Sequence, residues 1–217
     1  MGGERFSKSA GVKLDLVTAI DRHGPDAFRY FLLREVPFDG DGDFSLERFD
    51  ERYVSDLADA FGNLASRVLA MLERYRGGAV PASGETTALD RAGETAVARY
   101  AEAMDHLLLH RGAAAAWELV SEANAFVERQ APWALAKASQ AEALDATLGA
   151  LARCLARLAV LAGPFLPATA PALWAALGLG ADPTSAPAWL LATAPRIEAA
   201  QTHRIAPLFP KADQQAA

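Results

Sequence analysis

Residues 46–75 read LERFDERYVSDLADAFGNLASRVLAMLERY, and the reading of this stretch decides the fold. Val54, Leu57, Ala58, Phe61, Leu64, Ala65, Val68 and Leu72 recur at helical spacing, which predicts one long helix with a single buried stripe. Ser45 stands where an N-cap belongs, and Gly77 and Gly78 end the run. Asn63 and Arg67 lie on the opposite side, one helical turn apart, so an amide and a guanidinium point outward from one patch. Two readings fit this pair. It belongs to an ordinary solvated helix face, or it meets the edge of an exposed nucleotide base, where each side chain can make two directed hydrogen bonds.

Working outward, 15–23 predicts a short amphipathic helix with Leu16, Val17 and Ile20 inward. Gly24 and Pro25 break it, and 26–35 restarts helical, with Phe28, Phe31 and Leu32 apolar and Arg29 and Arg34 outward. The glycine- and serine-bearing start 1–12 and the segment 36–45, with Pro37 and the acidic run 39–43, read as loops. Beyond a Pro/Gly/Ser linker at 77–87, segments 89–109, 112–130, 141–162 and 169–177 carry apolar positions every three or four residues. Leu144, Leu148, Leu151, Leu155 and Leu158 form the stripe of the third. No strand alternation is evident. The expected fold class is all-α, an up-and-down helix bundle over 45–217 preceded by a loop-rich helical lead-in over 1–44. Trp117, Trp174 and Trp189 fall on or beside apolar stripes and are expected in the core. The apolar tail around Ile205, Leu208 and Phe209 is expected to dock back on the bundle.

At 217 residues with 52% hydrophobic positions and a mean hydropathy of +0.07, the composition is that of a soluble globular chain able to bury a sizeable core. The nearest approach to a membrane span, 155–166, is short and contains Arg157 and Pro164. The start is polar and glycine-bearing, unlike a secretory signal. The single cysteine, Cys154, excludes an internal disulfide and a cysteine-built zinc site, and fits a reducing cytoplasm. His106 and His110 are spaced one turn apart but lack a third ligand on their face; a polar helix surface suits them, and no metal is expected. The net charge of −6 argues against broad phosphate-driven nucleic-acid binding, while leaving room for a small base-reading patch.

Two further stretches could carry chemistry. In Arg5-Phe6-Ser7-Lys8-Ser9 two hydroxyls flank a lysine inside a glycine-bounded loop. Such a loop can wrap a polyphosphate, its ammonium neutralising charge as a phosphate leaves. It lacks the Walker spacing, and a solvated tail would look the same. In Gln130-Ala131-Pro132-Trp133, Pro132 suits a first helical turn and puts Trp133 at a helix entrance. That indole either closes the bundle as a core residue or presents a face on which a base stacks.

These pieces, in this order, resemble methionyl-tRNA synthetases from the ATP-loop signature onward. Arg5 to Ser9 is similar to the KMSKS loop, with Arg5 and Phe6 standing for the family's first lysine and its methionine. Ala10-Gly11-Val12 stands for the following Leu-Gly-Asn, and the run from Asp21 through Glu35 looks like the stem-contact segment. Gly62-Asn63-Leu64-Ala65-Ser66-Arg67 matches the anticodon-reading helix, Gln130 to Trp133 the anticodon-stacking tryptophan, and Leu208-Phe209-Pro210-Lys211 the closing segment.

The resemblance implies that Asn63 and Arg67 hydrogen-bond the first anticodon base, a cytosine, while Trp133 stacks beneath it. It implies that Lys8 stabilises the pyrophosphate as methionine attacks ATP, and that the nucleic-acid partner is tRNA(Met). Family members build their active site on a Rossmann fold with an HIGH signature ahead of the loop, and neither feature occurs in this sequence. The expectation is therefore tRNA recognition without catalysis, the catalytic part being supplied by a missing domain or a separate chain. A stand-alone, non-catalytic tRNA-binding paralogue acting as adaptor or regulator is the alternative, and a helix bundle with no nucleic-acid partner is a third reading.

Overall fold

The structure, a computed structural model, describes residues 16–37, 44–82, 86–180 and 195–211. The Arg5 to Ser9 loop with Lys8, the acidic run 39–43 and Trp189 lie outside the described residues. The architecture is all-α. The lead-in consists of α1 (Leu16–His23) and α2 (Pro25–Glu35). Then comes one unbroken helical rod: α3 (Leu46–Arg52), a π-helical segment (Tyr53–Gly62) and α4 (Asn63–Arg76). The rest is α5 (Ala88–Asp105), α6 (Leu109–Gln130), α7 (Pro132–Lys137), α8 (Ala141–Ala162) and α9 (Thr169–Ala176). Among the described residues there is no strand, and an isolated bridge pairs Ala79 with Gln201.

Helices α5, α6 and α8 pack on one another, the rod lies along α6 and α8, and α2 packs on α6 and the π segment. The core is continuous. Leu148, Leu151, Leu155 and Leu158 of α8 are all buried, as are Trp117 and Trp174. Small residues let α6 approach its neighbours closely, with Ala113, Ala115, Ala116 and Ala123 buried. The ends are closed as their sequences suggest. Ser45 Oγ accepts from the Arg48 amide, Thr87 and Asp90 form a reciprocal capping box, and Gly77 takes the left-handed conformation (φ 59°) that ends α4. The tail docks back. Its backbone runs beside 78–80, where Val80 donates to Ala200 O and Thr202 donates to Gly78 O, and Phe209 is buried.

The structure corrects the sequence reading in several places. The stretch 46–75 is not uniformly α-helical. Its middle is π-wound, so Tyr53 takes the buried position and Val54, expected in the stripe, is 41% exposed. In α1 the inward residue is Ala19, and Val17 is 65% exposed. Arg34 is half-buried rather than outward. The segment expected as one helix over 89–109 stops at Asp105, with His106 as its cap. Leu107 turns left-handed (φ 58°) and the Leu108 amide donates to Ala103 O, so His106 and His110 sit on either side of a corner and share no helix face.

Candidate nucleic-acid interface

Asn63 opens α4 at the end of the π segment, and its own amide donates to the carbonyls of Ala58 and Ala60. Behind it Leu64, Ala65, Val68, Leu69 and Leu72 bury one side of the helix, which forces Asn63 outward. Gly62, immediately before, is buried under the Phe209 ring. A Cβ there would meet the Leu57 carbonyl at 3.0 Å and Phe209 Cδ2 at 3.5 Å. Phe209 in turn makes edge contacts with Tyr53 and Phe61, and Tyr53 Oη donates to Pro210 O at 2.7 Å. Burial raises the pKa of that phenol, so it remains a donor.

The tail thereby walls a cavity of about 400 Å³ whose polar lining includes Asp59, Asn63, Ser66 and Lys211, with Pro207 and Phe209 as its apolar side. Lys211 Nζ pairs with Asp59 across it at 2.5 Å. Asn63 thus faces a polar recess floored by the tail rather than a bare helix surface.

Arg67, one turn on, is 32% exposed, and its Nη2 donates to Glu128 Oε1 at 2.6 Å. Glu128 lies in the last turn of α6. That helix ends in a left-handed alanine, Ala131 (φ 42°, ψ 64°), whose amide closes α6 on Val127 O while its carbonyl receives the Ala134 amide of α7. Pro132 is buried in the first turn of α7, and Trp133 stands out at 45% exposure. The indole is neither a core residue nor a fully solvated one, and such a half-exposed ring has a face to offer.

The sequence-predicted residues therefore gather unevenly. Asn63 and Arg67 share one face of α4, as spacing requires. Trp133 follows Glu128, the partner of Arg67, by five residues across the α6–α7 corner, and it does not line the cavity beside Asn63. Lys8 and the rest of its loop lie outside the described residues. Glu128 and Asp59 were missed by sequence reasoning, and Lys211 was read only as part of the closing segment. Arg67 finds its carboxylate 61 residues away, and no local pattern marks that pairing. Among the described residues no group of three His, Cys, Asp or Glu could hold a metal ion, and no helix is long and apolar enough to cross a membrane.

Two helices leading into a helix bundle make an all-α architecture of the kind found in class I aminoacyl-tRNA synthetases, as the matches to known proteins show. A family model of class I tRNA synthetases (M) matches residues 1–69, and one of the anticodon-binding domain of methionyl tRNA ligase matches 77–212. Methionine--tRNA ligases from Bacillus subtilis and Mesorhizobium japonicum are 36% and 40% identical, over 97% and 83% of this chain. A crystal structure of Mycobacterium tuberculosis methionyl-tRNA synthetase bound by methionyl-adenylate superposes with a TM-score of 0.86 at 30% identity, covering 96% of this chain and 42% of that one. The chain belongs to the methionyl-tRNA synthetase family. It spans about a third of the length of the curated relatives it matches, 32% of the Bacillus subtilis protein and 36% of the Mesorhizobium japonicum one.

Proposed function

We propose that this chain is the tRNA-recognition portion of a methionine--tRNA ligase, which joins methionine to tRNA(Met) through methionyl-adenylate. Asn63 and Arg67 hydrogen-bond the first anticodon base, and Trp133 stacks on it. The observation that carries this reading is the paired presentation of Asn63 and Arg67 from one helix face, with Arg67 held by Glu128 just ahead of the half-exposed Trp133. An amide offers both a donor and an acceptor, and a guanidinium a fork of donors, so together they can match a pyrimidine edge. The ring supplies stacking energy without base specificity.

Residues 1–44 form a unit that carries the ATP loop and the stem contact, and 45–217 form the anticodon-binding bundle. Within the loop Arg5, Phe6, Ser7, Lys8 and Ser9, Lys8 stabilises pyrophosphate when ATP is bound; an electrostatic role of this kind needs only a fixed positive charge. By this reading the 217-residue chain binds tRNA(Met) and does not aminoacylate it by itself; the curated relatives run about three times its length. Titrating the chain with methionine tRNA transcripts tests the assignment. Asn63→Ala, Arg67→Ala and Trp133→Ala are each expected to weaken binding by about 1 kcal/mol or more. Wild-type affinity in all three variants would refute the base-reading roles.

A further inference from the structure

The sharpest departure of this molecule from its sequence pattern lies directly behind the reading residues. From Tyr53 to Gly62, ten residues are π-wound. Such winding is rare and seldom persists beyond a turn, so a run of this length needs support from outside the helix. Helix α6 supplies it at two carbonyls. Trp117 Nε1 donates to Asp56 O at 3.1 Å, and Asn124 Nδ2 donates to Ala60 O at 3.2 Å. The Asn124 amide also donates to Val120 O in its own helix at 3.1 Å, so it bridges the two elements.

The carbonyl that Asn124 holds is one to which the backbone amide of Asn63 donates. The link from α6 to the reading residue is therefore a single shared oxygen. Its consequence is rotational. Losing or gaining one residue of winding turns everything downstream by about 100° about the rod axis. A recognition pair tolerates only about 10–20° of misorientation. Trp117 and Asn124 lie two turns apart on α6, and Glu128, the partner of Arg67, is one turn further along the same stripe.

We propose that Asn124 and Trp117 are positioning residues for anticodon reading: by anchoring the Ala60 and Asp56 carbonyls they hold the π winding that aims Asn63 and Arg67 at the base. This rests on the proposed base-reading role of Asn63 and Arg67. Neither α6 residue touches the tRNA; each acts through the rod.

The test compares binding of the 217-residue chain to methionine tRNA transcripts carrying cytosine or uracil at the first anticodon position. The readout is the ratio of the two affinities, with thermal melting followed alongside. Asn124→Ala removes one anchor. Trp117→Phe removes the other donor while keeping a ring against Tyr30 and Phe61, both of which stack near the indole. Each is expected to lower the cytosine preference about three- to tenfold, the effect of one lost hydrogen bond passed on to the reading pair. Asn63→Ala and Arg67→Ala serve as direct controls. If the controls lose the preference while Asn124→Ala and Trp117→Phe keep it, with only melting altered, the positioning role is overturned and the base-reading assignment stands. If the controls keep it, that assignment fails and the positioning role with it. Should Asn124→Ala not fold, Trp117→Phe decides between the same outcomes.

Discussion

Asp90 is buried in the bundle, and its carboxylate answers two arginines at once. Arg153 binds it through Nε and Nη2, both at 2.8 Å, and Arg157 approaches at 3.4 Å. Thr87 adds its amide and hydroxyl at 3.0 and 2.9 Å. Gly93 makes room for this cluster, since a Cβ there would stand 2.9 Å from Arg157 Cδ. Burial alone would raise the Asp90 pKa, but the hydrogen bonds from Arg153 and Thr87 and the Arg153 charge outweigh it and hold the carboxyl well below the ordinary carboxylate range. A group whose pKa is depressed by folding stabilises the native state above its unfolded value, about 4, and that contribution fades as the pH falls below it. Asp90→Asn should therefore cost about 3 kcal/mol at pH 7, because it leaves the guanidiniums without their buried counter-ion. The difference from wild type should shrink on acidification below about pH 4. Urea unfolding at both pH values measures this; a gap that widens in acid would contradict the assignment. The same cluster pushes no reactivity onto Cys154, whose thiol is raised by burial to about 12 and stays protonated.

At the scale of elements, what was legible in the sequence was whatever local spacing encodes. The bounds of α8 and α9, the Ser45 cap and the outward pairing of Asn63 with Arg67 follow from periodicity and cap chemistry. The π winding does not, because its register is set by side chains of α6 that lie 61 and 64 residues away. The corner at Leu107 escaped for a different reason: it is left-handed without being glycine, so no residue type announces it. At Ala131 the break itself was legible from Pro132, and only its left-handed form was not. The register can be checked by substitution. Uniform α winding would bury Val54 and make its loss expensive, whereas the π winding leaves it 41% exposed and seats Tyr53 at 4%. Val54→Ser should change stability by less than about 0.5 kcal/mol. Tyr53→Ala, which loses a ring packed against His23 and Phe209, should cost about 3 kcal/mol or more. Comparable losses in chemical denaturation would mean that the rod is α-wound through this stretch.

For the molecule as a whole, the question is what keeps the lead-in fixed to the bundle, since the stem-contact role proposed for it requires a constant distance from the proposed anticodon face. Arg22, His23, Tyr30 and Glu35 tie the lead-in to the rod through Asp50, Asp56, Arg48 and Arg52, and Arg29 and Asp26 reach across a much longer chain separation. Arg29 Nε donates to Pro164 O at 2.7 Å. Asp26, buried in α2, accepts from the amides of Ala168 and Thr169 at 3.1 and 2.7 Å and from the Thr169 hydroxyl at 2.7 Å. Helix α9 has no side-chain cap of its own, so Asp26 caps it from across the fold. The carboxylate therefore does two things at once: it satisfies the start of α9 and ties α2 to it. Asp26→Ala should lower stability by about 2 kcal/mol, the sum of a lost cap and buried donors left unpaired. The loss should also be uneven. Amide hydrogen exchange is expected to accelerate in α2 and in the first turn of α9, while α5, α6 and the middle of α8, packed on one another, keep their protection. Acceleration spread evenly over all the helices would mean that Asp26 supports the bundle generally and does not clamp the lead-in to it.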